Sequence, residues 1–319
     1  MFCPQRPVLF IVVPCFNEEE ALSRSSLELR QTLEKMVSAG LASDRSKILF
    51  VDDGSRDRTW ELICRFHAQD AAFTGLRLSR NCGHQNALLA CLMAAKEQAD
   101  IAVSIDADLQ DDVSVIERMA RKYAEGCEIV YGVRSSRKTD TFFKRFSAET
   151  FYKLLRFMGV EVVFNHADFR LMSKKALDAL ADYKEVNLFL RGLIPLLGFS
   201  SGVVEYERRP RAAGETKYPL RKMLKLAFDG ISSFSVRPIR MISCLGGVIF
   251  AASLLVLLWT LWAKLAGRTV SGWTSLMISI WALGGIQLLS LGLIGEYIGK
   301  IYTETKARPR YIVAETLLE

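Results

Sequence analysis

Two uncharged stretches near the C-terminus constrain this chain more than any other feature. Residues 241–263, MISCLGGVIFAASLLVLLWTLWA, and residues 273–294, WTSLMISIWALGGIQLLSLGLI, contain no Asp, Glu, Lys or Arg. A helix crosses the hydrocarbon core of a bilayer in roughly 20 residues at about 1.5 Å rise each, so either stretch is long enough to span. A pair of buried core helices is the alternative, and length argues against it. Trp259, Trp262, Trp273 and Trp281 lie in these segments, where several could sit at headgroup depth. Arg237 and Arg240 precede the first stretch and Lys300, Lys306, Arg308 and Arg310 follow the second, whereas the connection offers only Lys264 and Arg268. The positive-inside rule then puts both termini in the cytoplasm.

The remainder of the 319 residues exceeds what one small domain needs and reads as a single large domain preceding the spans. VLFIVV at 8–13 is a short, β-branched apolar run, hence a buried strand; it lacks a basic leader and stops at Pro14, so no signal peptide is expected. A helical pattern at 21–37, a strand at 47–53, a helix at 59–70, a strand at 75–79, a helix at 85–98 and a strand at 101–106 follow. Strands alternating with helices predict an α/β domain with a parallel, doubly wound sheet covered on both faces.

Ligands of such sheets bind beyond the carboxyl ends of the strands. PCFNEEE (14–20), DDGSRDRT (52–59) and DADLQDD (106–112) stand at those ends. One acidic turn means little, because Asp commonly caps helices and turns chains; three at one rim suggest one site. Like charges packed as closely as Asp106, Asp108, Asp111 and Asp112 repel one another, so either they sit in solvent or a cation arrives between them. Asp106 and Asp108, two apart on an extended segment, share a face. One or two carboxylates with water and substrate phosphates suit Mg²⁺ or Mn²⁺. Neither GxGxxG after the first strand nor a P-loop is present. Seven cysteines without a CxxC pair and only three histidines exclude a recognisable zinc or redox site and fit reduced thiols. The net charge of +7 suggests an anionic membrane surface or phosphate-bearing substrates rather than nucleic acid.

Those three motifs, with NHADFRLMSKKAL, RRPRAAGETKY and the ending LGLIGEYIGKIYTETKARPRY, resemble the polyprenyl-phosphate glycosyltransferases of glycosyltransferase family 2. Bactoprenol glucosyltransferases of the GtrB type are the nearer likeness and dolichol-phosphate mannose synthases the more distant. The resemblance implies a GT-A, Rossmann-like catalytic domain and an inverting transfer from a nucleotide sugar to a polyprenyl phosphate at the cytoplasmic face of a bacterial membrane. It implies that Pro14, Phe16, Glu18, Val51 and Asp53 frame the base and ribose, that Asp106 and Ala107 line the donor pocket, and that Asp108 with Gln110 holds the metal. Arg134 and Arg209 match positions that meet phosphates, and Asp168-Phe169-Arg170 a signature near the acceptor. Asp106, Asp108, Asp168 and Arg209 are thus the expected catalytic set. Two departures stand out: Asp112 replaces a usual Pro, and His166-Ala167 a usual Gly before the Asp.

The expected organisation is a catalytic domain over 1–215, an amphipathic segment over 216–238, two spans within 239–298 and a cytoplasmic tail over 299–319. A phosphate monoester has its second pKa near 6 and is already an anionic nucleophile at neutral pH, so strong general-base help is not obligatory. Arg134, Arg137, Lys138, Lys144, Arg145, Arg209, Arg211 and Lys217 supply candidate positive charge for two anions held together. Apolar residues at helical spacing over 217–235, with Arg221, Lys222 and Lys225 elsewhere on the wheel, fit an interfacial helix on anionic lipid, or an ordinary amphipathic core helix. Gly295 and Gly299, and Gly246-Gly247 with Ala251, permit close helix packing, either within the chain or in a homo-oligomer such as a tetramer.

A UDP-sugar donor, UDP-glucose first and UDP-N-acetylhexosamine second, and undecaprenyl phosphate are the expected substrates. A processive polysaccharide synthase is disfavoured because no QxxRW follows the acidic motifs. A catalytically silent membrane scaffold is the reading from another class.

Overall fold

The computed structural model describes residues 6–134, 166–207 and 272–318, with isolated positions between 238 and 266. Arg209, the basic residues at 137, 138, 144, 145, 211 and 217, and the amphipathic stretch 217–235 lie outside the described residues. The chain divides into two compact units, one of Met1–Tyr152, Glu161–Pro219 and Ala307–Glu319, the other of Lys153–Val160 and Leu220–Lys306.

The first unit is built on an eight-stranded sheet. In chain order its elements are β1 (Leu9–Cys15), α1 (Glu19–Ser38), β2 (Lys47–Asp52), α2 (Thr59–Gln69), β3 (Phe73–Leu78), α3 (His84–Lys96), β4 (Ile101–Ser104), α4 (Val115–Ala124) and β5 (Ile129–Arg134). Then come β6 (His166–Ser173), α5 (Lys174–Ala181), α6 (Leu190–Leu196), β7 (Ser201–Tyr206) and β8 (Val313–Leu317). The strand order is β7-β5-β6-β4-β1-β2-β3-β8. All seven residues of β1 are buried, as a strand covered on both faces requires. α1 buries Leu22, Leu29, Leu33 and Met36, the one-face spacing that the sequence shows. Phe50, Phe66 and Phe73 cluster with ring centroids 5.7 to 6.3 Å apart, fixing α2 to β2 and β3.

The sequence predicts a parallel sheet, and the structure departs from this. β6 runs antiparallel to both β4 and β5, and β8 antiparallel to β3. An apolar strand pattern carries no polarity, and β6 and β8 arrive from distant parts of the chain, so alternation of elements could not reveal their direction. The reversal matters for function: Asp168, near the start of antiparallel β6, comes to lie beside the carboxyl end of β4, with the Ser104 hydroxyl donating to the Asp168 carbonyl at 2.5 Å.

The C-terminus also differs from a free tail. α7 (Trp273–Lys306) continues to Lys306, and β8 then pairs along β3 from Gly75 to Leu78. Glu315 explains the docking, accepting hydrogen bonds from Arg77 at 2.7 Å and from the Trp60 indole at 3.2 Å. α7 extends over 34 residues. Among the described residues no helix is long and apolar enough to cross a membrane, so the two spans remain an expectation from the sequence.

Candidate active site

The rim begins with two loops that hold each other. Asn17 donates its backbone N–H to the Ser55 hydroxyl at 2.9 Å, and its side-chain carbonyl accepts from the Arg56 N–H at 2.9 Å. Glu18 N–H reaches the Thr59 hydroxyl and Glu19 N–H the Asp57 carboxylate, so DDGSRDRT satisfies the first N–H groups of α1, which begins within PCFNEEE. Burial opposes the charge on Asp57, yet hydrogen bonds from Thr59 and Glu19 hold its carboxyl below the ordinary value. Gly54 is required here: its φ is +67°, and a Cβ would come within 2.6 Å of the Arg80 carbonyl carbon.

Asp53, at the end of β2, is buried and accepts the N–H groups of Cys82 and Gly83 at 2.7 and 2.9 Å. Burial raises its pKa, partly offset by those two bonds. Asp53 thereby ties β2 to the entry of α3 and sets the position of His84.

A cavity of about 370 Å³ opens above these ends. Of the residues expected at the site, Pro14, Phe16, Glu18, Asp53, Asp106, Ala107, Asp108 and Asp168 line it. Val51 is buried inside β2, off the wall. Gln110 is also buried, with its side-chain amide donating to the Asp108 carboxylate, so it stands behind Asp108. The turn that presents Asp108 holds Leu109 at φ +43°, a left-handed conformation uncommon for a non-glycine residue. Arg134 turns to Asp111, at 3.0 Å, and the Tyr206 hydroxyl donates to the same carboxylate at 2.7 Å. Asp111 is therefore a buried anchor for the ends of β5 and β7, apart from its neighbours Asp106 and Asp108.

Sequence reasoning missed His84 and Arg191, which also line the cavity. Arg191 forks onto Asp168, Nε at 3.2 Å from Oδ1 and Nη2 at 3.0 Å from Oδ2. Arg170, wholly buried, meets Oδ1 at 2.5 Å, and His84 Nε2 lies 3.3 Å from Oδ2 and 3.9 Å from Asp106. Burial works against the Asp168 carboxylate, but the His84 hydrogen bond and the two guanidinium charges drive its pKa well below the usual range. Asp106 is the opposite case: burial raises its pKa, His84 offsets part of this, and the charges of Asp168, Asp111 and Asp108 raise it further. Burial likewise disfavours the charged imidazole of His84, and is outweighed by the hydrogen bond to Asp168 and the charge of Asp106, which raise its pKa. A signal for His84 was available, since NCGHQ follows the end of β3 and opens α3 at the same rim. Arg191 had none, as nothing local distinguishes it from other arginines.

Asp106 and Asp108 face one cavity, and the surroundings of Asp106 penalise its charge, an arrangement that suits a cation shared with an anionic ligand. Among the described residues no group of three or more His, Cys, Asp or Glu is arranged to hold a metal by itself. The donor set thus fits an ion that takes its remaining ligands from water and substrate. The six described cysteines are free thiols.

Comparison with known proteins agrees with this architecture. The model of glycosyl transferase family 2 matches residues 10–181, and that of the GtrB C-terminal hairpin matches residues 237–301. An uncharacterized glycosyltransferase of Bacillus subtilis, YkoT, is 55% identical over 97% of this chain and 91% of its own length. A prophage bactoprenol glucosyl transferase homolog of Escherichia coli is 38% identical over 95% of this chain and 97% of its own. Among solved structures, the mannosyltransferase PcManGT of Pyrobaculum calidifontis, in complex with GDP-Man and Mn²⁺, superposes with a TM-score of 0.51 at 15% identity, covering 96% of this chain and 89% of that one. That likeness is one of fold, and the fold is GT-A.

Proposed function

Since the chain belongs to glycosyltransferase family 2 and is a glycosyltransferase, we propose that it transfers a hexose, glucose first, from a UDP-sugar to undecaprenyl phosphate at the cytoplasmic face of the bacterial membrane, with inversion. The observation that carries this reading is the convergence of Asp106 and Asp108, from the turn after β4, with Asp168 from β6 on one cavity, in a chain whose Escherichia coli relative is named for bactoprenol glucosyl transfer.

The β1 and β2 loops would receive the nucleotide, with Phe16 and Glu18 on the wall and Asp53 holding the α3 entry in place. Asp106 and Asp108 would hold Mg²⁺ or Mn²⁺ together with the donor diphosphate. The ion, when bound, neutralises charge that develops on the leaving nucleotide. Asp168, whose two oxygens are engaged by Arg170, Arg191 and His84, is a positioning group rather than a base; the acceptor phosphate already carries the nucleophilic charge.

Membrane attachment is part of the same proposal. The two uncharged stretches in the sequence, the match to the hairpin model over 237–301 and the exposure of large apolar side chains support it. Trp259 and Trp262 are 57% and 59% exposed, and Leu288 73%, more apolar surface than water favours. Transfer of radiolabel from a panel of UDP-sugars into organic-extractable lipid, with purified protein, undecaprenyl phosphate and Mn²⁺ or Mg²⁺, tests the reading. Label from one sugar that disappears with EDTA is expected. Nucleotide binding without any transfer would overturn the reaction, and absence of all binding would leave a scaffold.

A further inference from the structure

Sheet order sets the ends of β2, β1, β4 and β6 side by side. Asp53, Phe16, Asp106 with Asp108, and Asp168 consequently follow one another along one cavity. In the reaction proposed above the first two stations take the nucleotide and the third the diphosphate. At the fourth the sign of the wall changes: His84 and Arg191 face the cavity, both seated on Asp168. Behind them Arg170 adds a third positive group, wholly buried, and its Nε and Nη1 have no hydrogen-bond partner among the described residues. Three basic groups meet at one carboxylate there, next to the acidic pair in the turn that follows β4.

A linear donor laid from β2 to β4 ends with its sugar toward β6, and an inverting nucleophile must approach that sugar from the side opposite the leaving diphosphate. We propose that His84 and Arg191 form the wall that receives the phosphate monoester of the acceptor. Asp168 acts as their anchor, fixing the guanidinium fork and the imidazole so that the incoming phosphate meets preplaced donors. This placement rests on the proposed reaction, because it requires a second anion besides the donor.

The test is steady-state kinetics of the full chain in detergent, with undecaprenyl phosphate varied at saturating UDP-sugar and the reverse, for wild type, Arg191→Ala, Arg191→Lys and His84→Gln. Arg191→Ala is expected to raise the acceptor KM about 10- to 100-fold, the effect of losing a charge-assisted hydrogen bond, with donor KM and UDP affinity within about twofold of wild type. Lysine should recover part of the loss, since it restores charge without the fork, and His84→Gln should shift the acceptor KM in the same direction by less. An unchanged acceptor KM, or a donor KM that rises as much, would overturn the assignment. If Arg191→Ala no longer binds UDP at all, the same criterion applied to Arg191→Lys and His84→Gln decides. A wild-type protein that binds UDP but transfers nothing removes the reaction itself, which is a different result from any variant's.

Discussion

The two ends of the rim use the same residue types to opposite purposes. At the β1/β2 end, Asp53 and Asp57 accept backbone N–H groups, from Cys82 and Gly83 and from Glu19 and Thr59, and Asn17 interlocks with Ser55 and Arg56. At the β4/β6 end the charged groups answer one another, with Asp168 among Arg170, Arg191 and His84, and Asp106 crowded by Asp168, Asp111 and Asp108. Carboxylates satisfied by their own backbone build a scaffold. At the β4/β6 end Asp168 is held charged by basic side chains, whereas Asp106, made costly to ionise by burial and by the like charges beside it, is the carboxylate a bound cation can relieve, and chemistry belongs there.

That contrast breaks most sharply under substitution. Asp108→Ala should reduce sugar transfer by about 10²- to 10³-fold or more, as removal of a transition-state electrostatic group does, while the melting temperature stays near wild type; initial rates beside a thermal melt check this. Gly54→Ala should do the reverse. Its Cβ would meet the Arg80 backbone at 2.6 Å, so a cost of about 1–3 kcal/mol is expected, seen as a fall in melting temperature of about 2–4 °C per kcal/mol, with UDP affinity falling alongside.

A smaller effect separates the ends by pH. The folded pKa of Asp168 is depressed by its basic neighbours, so the unfolded chain takes up that proton first. The stabilisation is then full above the unfolded value of about 3.9 and is lost as pH falls through the folded one. Denaturant titrations below about pH 4 should show a shallower decline for Asp168→Asn than for wild type, and equal slopes would contradict the clamp. The smallest effect concerns the segment after α7. Arg310 donates to the carbonyls of Tyr183 and Glu185, in the loop that leads to α6, where the Leu190 N–H is held by Gln85. Arg310→Ala should slow transfer by about 2- to 10-fold, the range of one ordinary hydrogen bond, without changing UDP affinity; kinetics beside nucleotide titration measure both.

Much of the scaffold was legible because local signals sufficed. The apolar run of β1, the one-face spacing of α1 and the polar motifs at three strand ends locate the elements and the rim to within a few residues. The direction of β6, the docking of β8 and the Asp168 clamp were not legible, since each depends on partners far away in sequence. Arg191 lies 23 residues from Asp168, and Glu315 lies 238 from Arg77. The same limit explains Asp111: four acidic residues in one motif look alike, and only the fold assigns Asp111 to Arg134 and Tyr206.

The division of the rim is tested most directly by measuring UDP affinity and label transfer to undecaprenyl phosphate in the same preparations of wild type, Phe16→Ala and Asp168→Asn. Phe16→Ala should lose UDP affinity and show a raised donor KM, whereas Asp168→Asn should bind UDP as wild type does and lose transfer. Loss of UDP binding in Asp168→Asn together with full transfer by Phe16→Ala would place the nucleotide at β6 and contradict the account.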